Sequence, residues 1–201
     1  MLQIAVISGK GGTGKTVLSA SFATSGNNIT VADCDVDASN LYLILNPDNS
    51  RSERFVTGHK AEINYDKCTS CGICIENCRF EAIAWVNGSP LISETECDGC
   101  FLCSRICPEG AINMIKSDHS YWYLGSYRNG HMVHARLAPG EENSGKLVNV
   151  VREEAVRCAK MNGSEIIIID GPPGNRLPGY LCHNRGRCCR SGDRTFLLRS
   201  P

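Results

Sequence analysis

Residues 9–16 read GKGGTGKT and fit the pattern G-x-x-x-x-G-K-S/T. That pattern carries weight only between a strand and a helix, and both flank it here. LQIAVIS (2–8) is a short apolar run feeding the glycines and reads as a buried parallel strand. KTVLSASFAT (15–24) has helical composition and is closed by SGNN. Such a loop lets backbone N–H groups curl around phosphate oxygens at the positive end of a helix. The predicted nucleotide-binding residues are therefore Gly9, Lys10, Gly11, Gly12, Thr13, Gly14, Lys15 and Thr16. Lys15 is placed to meet the β- and γ-phosphates, and Thr16 to offer its hydroxyl to Mg²⁺.

ITVADCD (29–35) and EIIIID (165–170) read as two further buried strands. Residues 144–160 read as a helix with Leu147, Val148, Val151, Ala155 and Val156 on one face. Strand, helix, strand and later helix, strand predict an α/β fold with a parallel sheet. Residues 121–142, rich in Gly, Tyr and His, return the chain to that sheet and carry no clear element signal.

A block of different character interrupts the sheet. CTSCGICIENCRFEAI (68–83) and CDGCFLCSRICPEGAI (97–112) form one internal repeat. The chain has 13 cysteines, and eight lie in these two runs. The N-terminus lacks a basic leader segment, and no apolar run approaches the ~20 residues of a membrane span. The expected setting is a reducing cytoplasm, where cysteines serve as metal ligands rather than disulfides. Cys68, Cys71, Cys74 and Cys78 follow C-x₂-C-x₂-C-x₃-C, as do Cys97, Cys100, Cys103 and Cys107. This is the bacterial two-cluster ferredoxin run, whose fourth cysteine serves the other cluster. One 4Fe–4S cluster should take Cys68, Cys71, Cys74 and Cys107; the other should take Cys97, Cys100, Cys103 and Cys78. Arg79 stands where proline is usual, and proline is not a ligand. Zinc is the alternative, but its sites usually pair two C-x₂-C knuckles at longer spacing. Cys34 and Cys158 are isolated and read as small core residues; His119, His131 and His134 read as surface or packing residues.

Lys10, a second lysine early in the loop, resembles the deviant Walker A motif of the MinD/ParA/nitrogenase-iron-protein class of P-loop ATPases. With the cysteine repeat, residues 2–174 resemble members of that superfamily carrying an inserted ferredoxin domain. The resemblance implies ATP, Mg²⁺ and two 4Fe–4S clusters as cofactors. It also implies a homodimer sandwiching its nucleotides, with Lys10 reaching across to the partner's nucleotide. DCDVDASNL (33–41) stands where the family has switch I. Asp35 would position the attacking water or the magnesium shell, and Asp33 and Asp37 are weaker candidates that could cap a helix or turn. IIIIDGPPG (166–174) resembles the Walker B strand and switch II, so Asp170 would hold Mg²⁺. Lys10, Lys15 and Asp35 are the expected catalytic set. The implied layout is a discontinuous ATPase domain (1–61 and 117–174) around an inserted two-cluster ferredoxin domain (62–116).

Three functions fit this layout: nucleotide-switched electron transfer to a redox partner, an iron–sulfur carrier or scaffold that uses ATP as a switch, or a truncated inactive product. A nucleic-acid face is not expected. The chain is neutral overall, but residues 175–201 hold six Arg and one acid, leaving the rest net acidic. That tail has no apolar period, and family members continue after DGPPG with further strands and a helix. Residues 175–201 are therefore expected to be a non-native or disordered tail. Shifting the frame by one base after Gly174 permits Ile-Gly-Cys-Pro followed by an apolar run, which resembles the family's continuation. Sequencing the gene across codon 174 should reveal one inserted base and a family-like downstream frame; a shifted frame without such a continuation rejects the idea.

Overall fold

The computed structural model describes residues 1–8, 12–56, 58–140, 144–173, 187–191 and 195–200. It divides into two units, Met1–Arg54 with Tyr121–Leu137 and Ser144–Pro201, and Phe55–Ser120 with Ala138–Asn143. The first unit opens with β1 (Leu2–Ser8), α1 (Lys15–Thr24), β2 (Ile29–Asp33), α2 (Leu41–Leu45) and β3 (Asp48–Phe55). The second contains β4 (His59–Ile63), α3 (Ile73–Glu76), β5 (Ile83–Val86), β6 (Ser89–Ile92), α4 (Leu102–Ile106) and β7 (Ile112–Lys116). The first then resumes with β8 (Ser120–Tyr127), β9 (Gly130–Arg136), α5 (Ser144–Asn162), β10 (Ile166–Pro173), β11 (Arg187–Ser191) and β12 (Thr195–Ser200). Among the described residues no helix is long and apolar enough to cross a membrane.

The first unit is built on a sheet of order β11-β12-β1-β10-β2-β9-β8-β3. Its centre is parallel: β1 with β10, β10 with β2, and β2 with β9. All five residues of β2 are buried, as are Ile167, Ile168 and Ile169 of β10, which is why these strands read as unbroken apolar runs. Leu147, Val148, Val151, Ala155, Cys158 and Ala159 of α5 are buried; Val156 is half-buried, and the apolar stripe runs on through Cys158 instead. Cys34 and Cys158 are both core residues.

Residues 121–142, unassigned from sequence, contain the β8–β9 hairpin, which adds β9 to the open side of β2. The turn is Arg128-Asn129, with Tyr127 opposite Gly130, and the Asn129-Gly130 pair one residue later was the available signal. Gly130 lies so close to β2 that a Cβ would collide with the Ile29 carbonyl. The Tyr127 hydroxyl closes the join, within hydrogen-bonding reach of the Ala23 and Ile29 carbonyl oxygens. Residues 187–191 and 195–200 also depart from the expected unstructured tail. β12 pairs antiparallel with β1, and β11 with β12. TFLLRS suits a strand, and the side of β1 away from β10 is an edge that any extended segment can extend.

In the second unit, β4 pairs antiparallel with β7 and β5 with β6. The β4–β7 pairing draws the unit's start to Phe55, ahead of the expected residue 62, and 138–143 joins it as well. The two cysteine runs share an unusual backbone. Ser70 and Gly99 have φ of 55° and 65°, Gly72 and Phe101 have 82° and 66°, and Glu81 and Gly110 have 54° and 56°. These are equivalent repeat positions, so the halves keep one conformation although glycine sits at different members of each pair. A left-handed residue other than glycine is strained, and its retention at Ser70, Glu81 and Phe101 shows that the surroundings impose it.

His134 of β9 is buried and stacks between Tyr42 and Tyr123, at 5.3 Å and 4.9 Å between ring centroids. Its Nε2 meets Asn49 Oδ1 at 3.2 Å, while Nδ1 has no hydrogen-bond partner. Burial, aided by the Arg136 guanidinium, lowers its pKa to about 4. The unfolded chain binds the proton more readily, so this histidine's contribution is present above pH ~6.5 and is lost as pH falls toward about 4. His134→Phe should flatten the acid side of the stability profile between these values, measured as thermal midpoint against pH.

Candidate functional site

The parallel register brings three strand ends level. Val6 of β1 stands opposite Asp170 of β10, and Asp170 opposite Asp33 of β2. Ligands of open α/β sheets bind beyond such carboxyl ends. The loop after β1 arrives there. Gly9, Lys10 and Gly11 lie outside the described residues, as does Gly174. Gly12 and Gly14 have φ of 73° and 83°, which favours glycine. Gly14 caps α1 without a side-chain hydrogen bond, so no side chain of the cap occupies the first N–H groups of the helix. That is the arrangement an anion requires.

Lys15 is buried at 6% exposure. Asp170 is buried at 1%, accepts a bond from Ser19 Oγ at 2.9 Å on Oδ1, and has no partner on Oδ2. Burial raises its pKa; the Ser19 and Thr16 hydroxyls and the Lys15 ammonium lower it, and Asp35 raises it. Burial likewise raises the half-buried Asp35, against the Lys15 ammonium and with Asp37. Lys15, Thr16, Asp35 and Asp170 therefore share one site. A buried carboxylate with one free oxygen, beside a threonine hydroxyl, suits a hard cation that takes oxygen ligands.

Asp33 is different. It is fully buried, and its oxygens accept from Ser39 Oγ at 2.7 Å and from the N–H groups of Asp35 and Leu41. It ties the 33–41 turn to the start of α2, and burial raises its pKa to about 7. Asp37 is exposed. Ser19 was not singled out from sequence; its position one helical turn after Lys15, on the face of α1 toward β10, was the available signal.

The eight cysteines of the second unit gather into two hollows. One, partly open to solvent, is lined by Cys68, Cys71, Cys74 and Cys107. The other, also partly open, is lined by Cys78, Cys97, Cys100 and Cys103, with Cys74 between the two. Topology explains the crossing. β4 leads into the first run and its partner β7 leads out of the second, so Cys107 arrives beside Cys68. β5 leads out of the first run and its partner β6 leads into the second, so Cys78 arrives beside Cys97. Burial, then Cys97, Cys100 and Cys78, push the Cys103 thiol up to about 11, with a backbone N–H at Ser104 opposing. Cys74 is raised by burial and by Cys68 and Cys71. The Ala111 N–H donates to Cys107 Sγ at 3.3 Å. Among the described residues no three His, Cys, Asp or Glu side chains converge on a single-ion site. His119 is exposed beside Glu94, and His131 contacts Ser126; neither enters a site.

Comparison with known proteins bears on the first unit most directly. Residues 4–171 match the CobQ/CobB/MinD/ParA nucleotide binding domain. An uncharacterized protein of Methanocaldococcus jannaschii is 36% identical over 181 residues, 89% of this chain and 62% of that protein, so the chain spans less than two thirds of that relative's length. A second uncharacterized protein of the same organism is 24% identical over 204 residues, 100% of this chain and 70% of its own. Indolepyruvate oxidoreductase subunit IorA of Methanothermobacter marburgensis is 36% identical over 61 residues, 30% of this chain and 10% of its own. With the family match running from within β1 to Gly171 of β10, just past Asp170, the chain belongs to the CobQ/CobB/MinD/ParA nucleotide-binding domain family.

Proposed function

We propose that this protein is an ATP-binding iron–sulfur protein in which nucleotide state gates electron transfer to a partner protein. The observation that carries the reading is the crossed gathering of the cysteines: three from one run and the fourth from the other around each hollow. Two 4Fe–4S clusters bound there would supply one-electron redox chemistry. Zinc sites usually pair two C-x₂-C knuckles at longer spacing than these runs have. The match of one segment to an oxidoreductase subunit points the same way.

In the first unit, Lys15 and the α1 N-terminus would bind the ATP phosphates, and Thr16 and the unpartnered oxygen of Asp170 would hold Mg²⁺. Asp35 orients the attacking water, and Lys10 reaches a second copy's nucleotide, both by the family resemblance. Ser19 holds one oxygen of the Asp170 carboxylate and leaves the other without a partner. Asp35 in the 33–41 turn and Asp170 at the β10 end would respond together to nucleotide state, since both lie beside Lys15. The partner could receive an electron or an intact cluster. All eight cysteines are committed, which favours resident clusters.

Lys15→Gln should weaken Mg·ATP binding by about ten- to hundredfold, the range for losing a charge-assisted bond, and Asp170→Asn should remove its Mg²⁺ dependence; titration calorimetry reads both. Anaerobic reconstitution should give about eight iron atoms per chain. Cys68→Ala and Cys107→Ala should each lose about half of that iron, and the double variant no more, because both would serve one cluster. Additive losses reject the crossed assignment. ATP should shift the clusters' reduction potential; no shift, with ATP-dependent loss of iron to an acceptor, supports the carrier instead.

A further inference from the structure

The two halves of the second unit match in backbone but not in charge. Lys60 lies eight residues ahead of Cys68; the equivalent position ahead of Cys97 is Ser89. Lys60 is buried at 5% exposure on β4. Its Nζ donates to the Cys97 carbonyl at 2.7 Å and also to the Gly140 carbonyl. Both acceptors are fixed by close backbone approach. A Cβ on Gly99 would collide with the His59 carbonyl, and one on Gly140 with the Thr95 carbonyl. The cage thus holds an ammonium beside the loop that begins the Cys97, Cys100, Cys103 set.

A buried ammonium is costly unless negative charge lies near it. Two carbonyl dipoles supply part of that. A cluster bound by four thiolates is anionic and would supply more, and reduction adds one electron and no proton, making it more so. A fixed positive charge nearby therefore favours the reduced state; net charge, burial and hydrogen bonds are the levers that set such potentials.

We infer that Lys60 is a potential-setting residue: it raises the reduction potential of the cluster held by Cys97, Cys100, Cys103 and Cys78 relative to the cluster held by Cys68, Cys71, Cys74 and Cys107. This rests on the iron–sulfur reading above. It makes the clusters unequal, so an electron entering the protein settles first on the Cys97 side unless the difference is cancelled.

The test is a dithionite titration of the reconstituted full chain, followed by electron paramagnetic resonance, for wild type, Lys60→Gln and Lys60→Arg. Lys60→Gln keeps a donor but removes the charge. At a fixed potential it should lower the reduced-to-oxidised ratio of one cluster about tenfold, for a separation of ~10 Å at an effective dielectric of ~20, or about 59 mV for one electron. The affected signal should be the one missing from Cys97→Ala, and Lys60→Arg should stay near wild type. Full iron content with no shift, or equal shifts of both clusters, overturns the inference. Iron loss in Lys60→Gln that Lys60→Arg repairs supports a charge requirement; loss that Lys60→Arg does not repair assigns a structural role and overturns it. A wild-type chain that takes up no iron is a distinct failure, of the iron–sulfur reading itself.

Discussion

The first unit depends on one register. β1, β10 and β2 run parallel and finish level, so Val6, Asp170 and Asp33 lie in a row at their carboxyl ends. The next element in the chain, α1, starts at Lys15, and its Ser19 bonds back to Asp170. A slip of one residue in β10 would turn Asp170 to the other face and break this bond. It would also move the buried run Ile167–Ile168–Ile169, so the packing that stabilises the sheet and the geometry that builds the site resist the same error. The Cys34 N–H donating to the Asp170 carbonyl at 2.8 Å carries the register into the turn after β2.

The second unit solves a different problem. With few large apolar side chains available, its small core is assembled from Ala61, Ile63, Ala82, Ile83 and Ile112 around Cys74 and Cys97. The cysteines are thus part of the packing as well as the lining of the hollows. Strand exchange between the halves does the organising. Because each two-stranded sheet joins the start of one run to the end of a run, neither hollow can be completed by a single run. The shared left-handed positions keep each run coiled around its hollow, with backbone N–H groups available to sulfur, as at Ala111.

Much of this was legible because the signals were local. Buried parallel strands announce themselves as apolar runs, the phosphate loop by its glycines, and the cysteine runs by spacing. What was missed depends on partners remote in sequence. β3, DNSRSERF, is exposed along nearly its whole length and has no side-chain pattern to read; its place comes from lying beside β8 in the sheet. The β8–β9 hairpin had a signal only one residue past its Arg128-Asn129 turn, at Asn129-Gly130, and its aromatic content hid the alternation. Lys60 gives no signal in the sequence, because its partners, the Cys97 and Gly140 carbonyls, are remote in the chain. β11 and β12 were obscured by the arginines and cysteines around them, although TFLLRS is a fair strand sequence.

Two adjacent carboxylates show how environment divides labour between like groups. Asp33 and Asp170 are register mates on neighbouring strands, and burial raises both pKa values. From sequence, Asp170 is the expected Mg²⁺ residue, and Asp33 is a weaker candidate than Asp35 for positioning the water or the magnesium shell. Asp33 spends its oxygens on Ser39 and two backbone N–H groups, so binding an ion would dismantle the turn it holds. Asp170 spends one oxygen on Ser19 and leaves the other free, beside Thr16 and Lys15. The unsatisfied oxygen costs stability in the bare protein, and a cation would recover that cost. Mutual repulsion between the two carboxylates adds to the pressure and is relieved either by a proton on Asp33 or by an ion on Asp170. The hydrogen bonds from Ser39, Asp35 and Leu41 favour the charged form of Asp33 and are spent on the turn, whereas Asp170 keeps one oxygen without a partner.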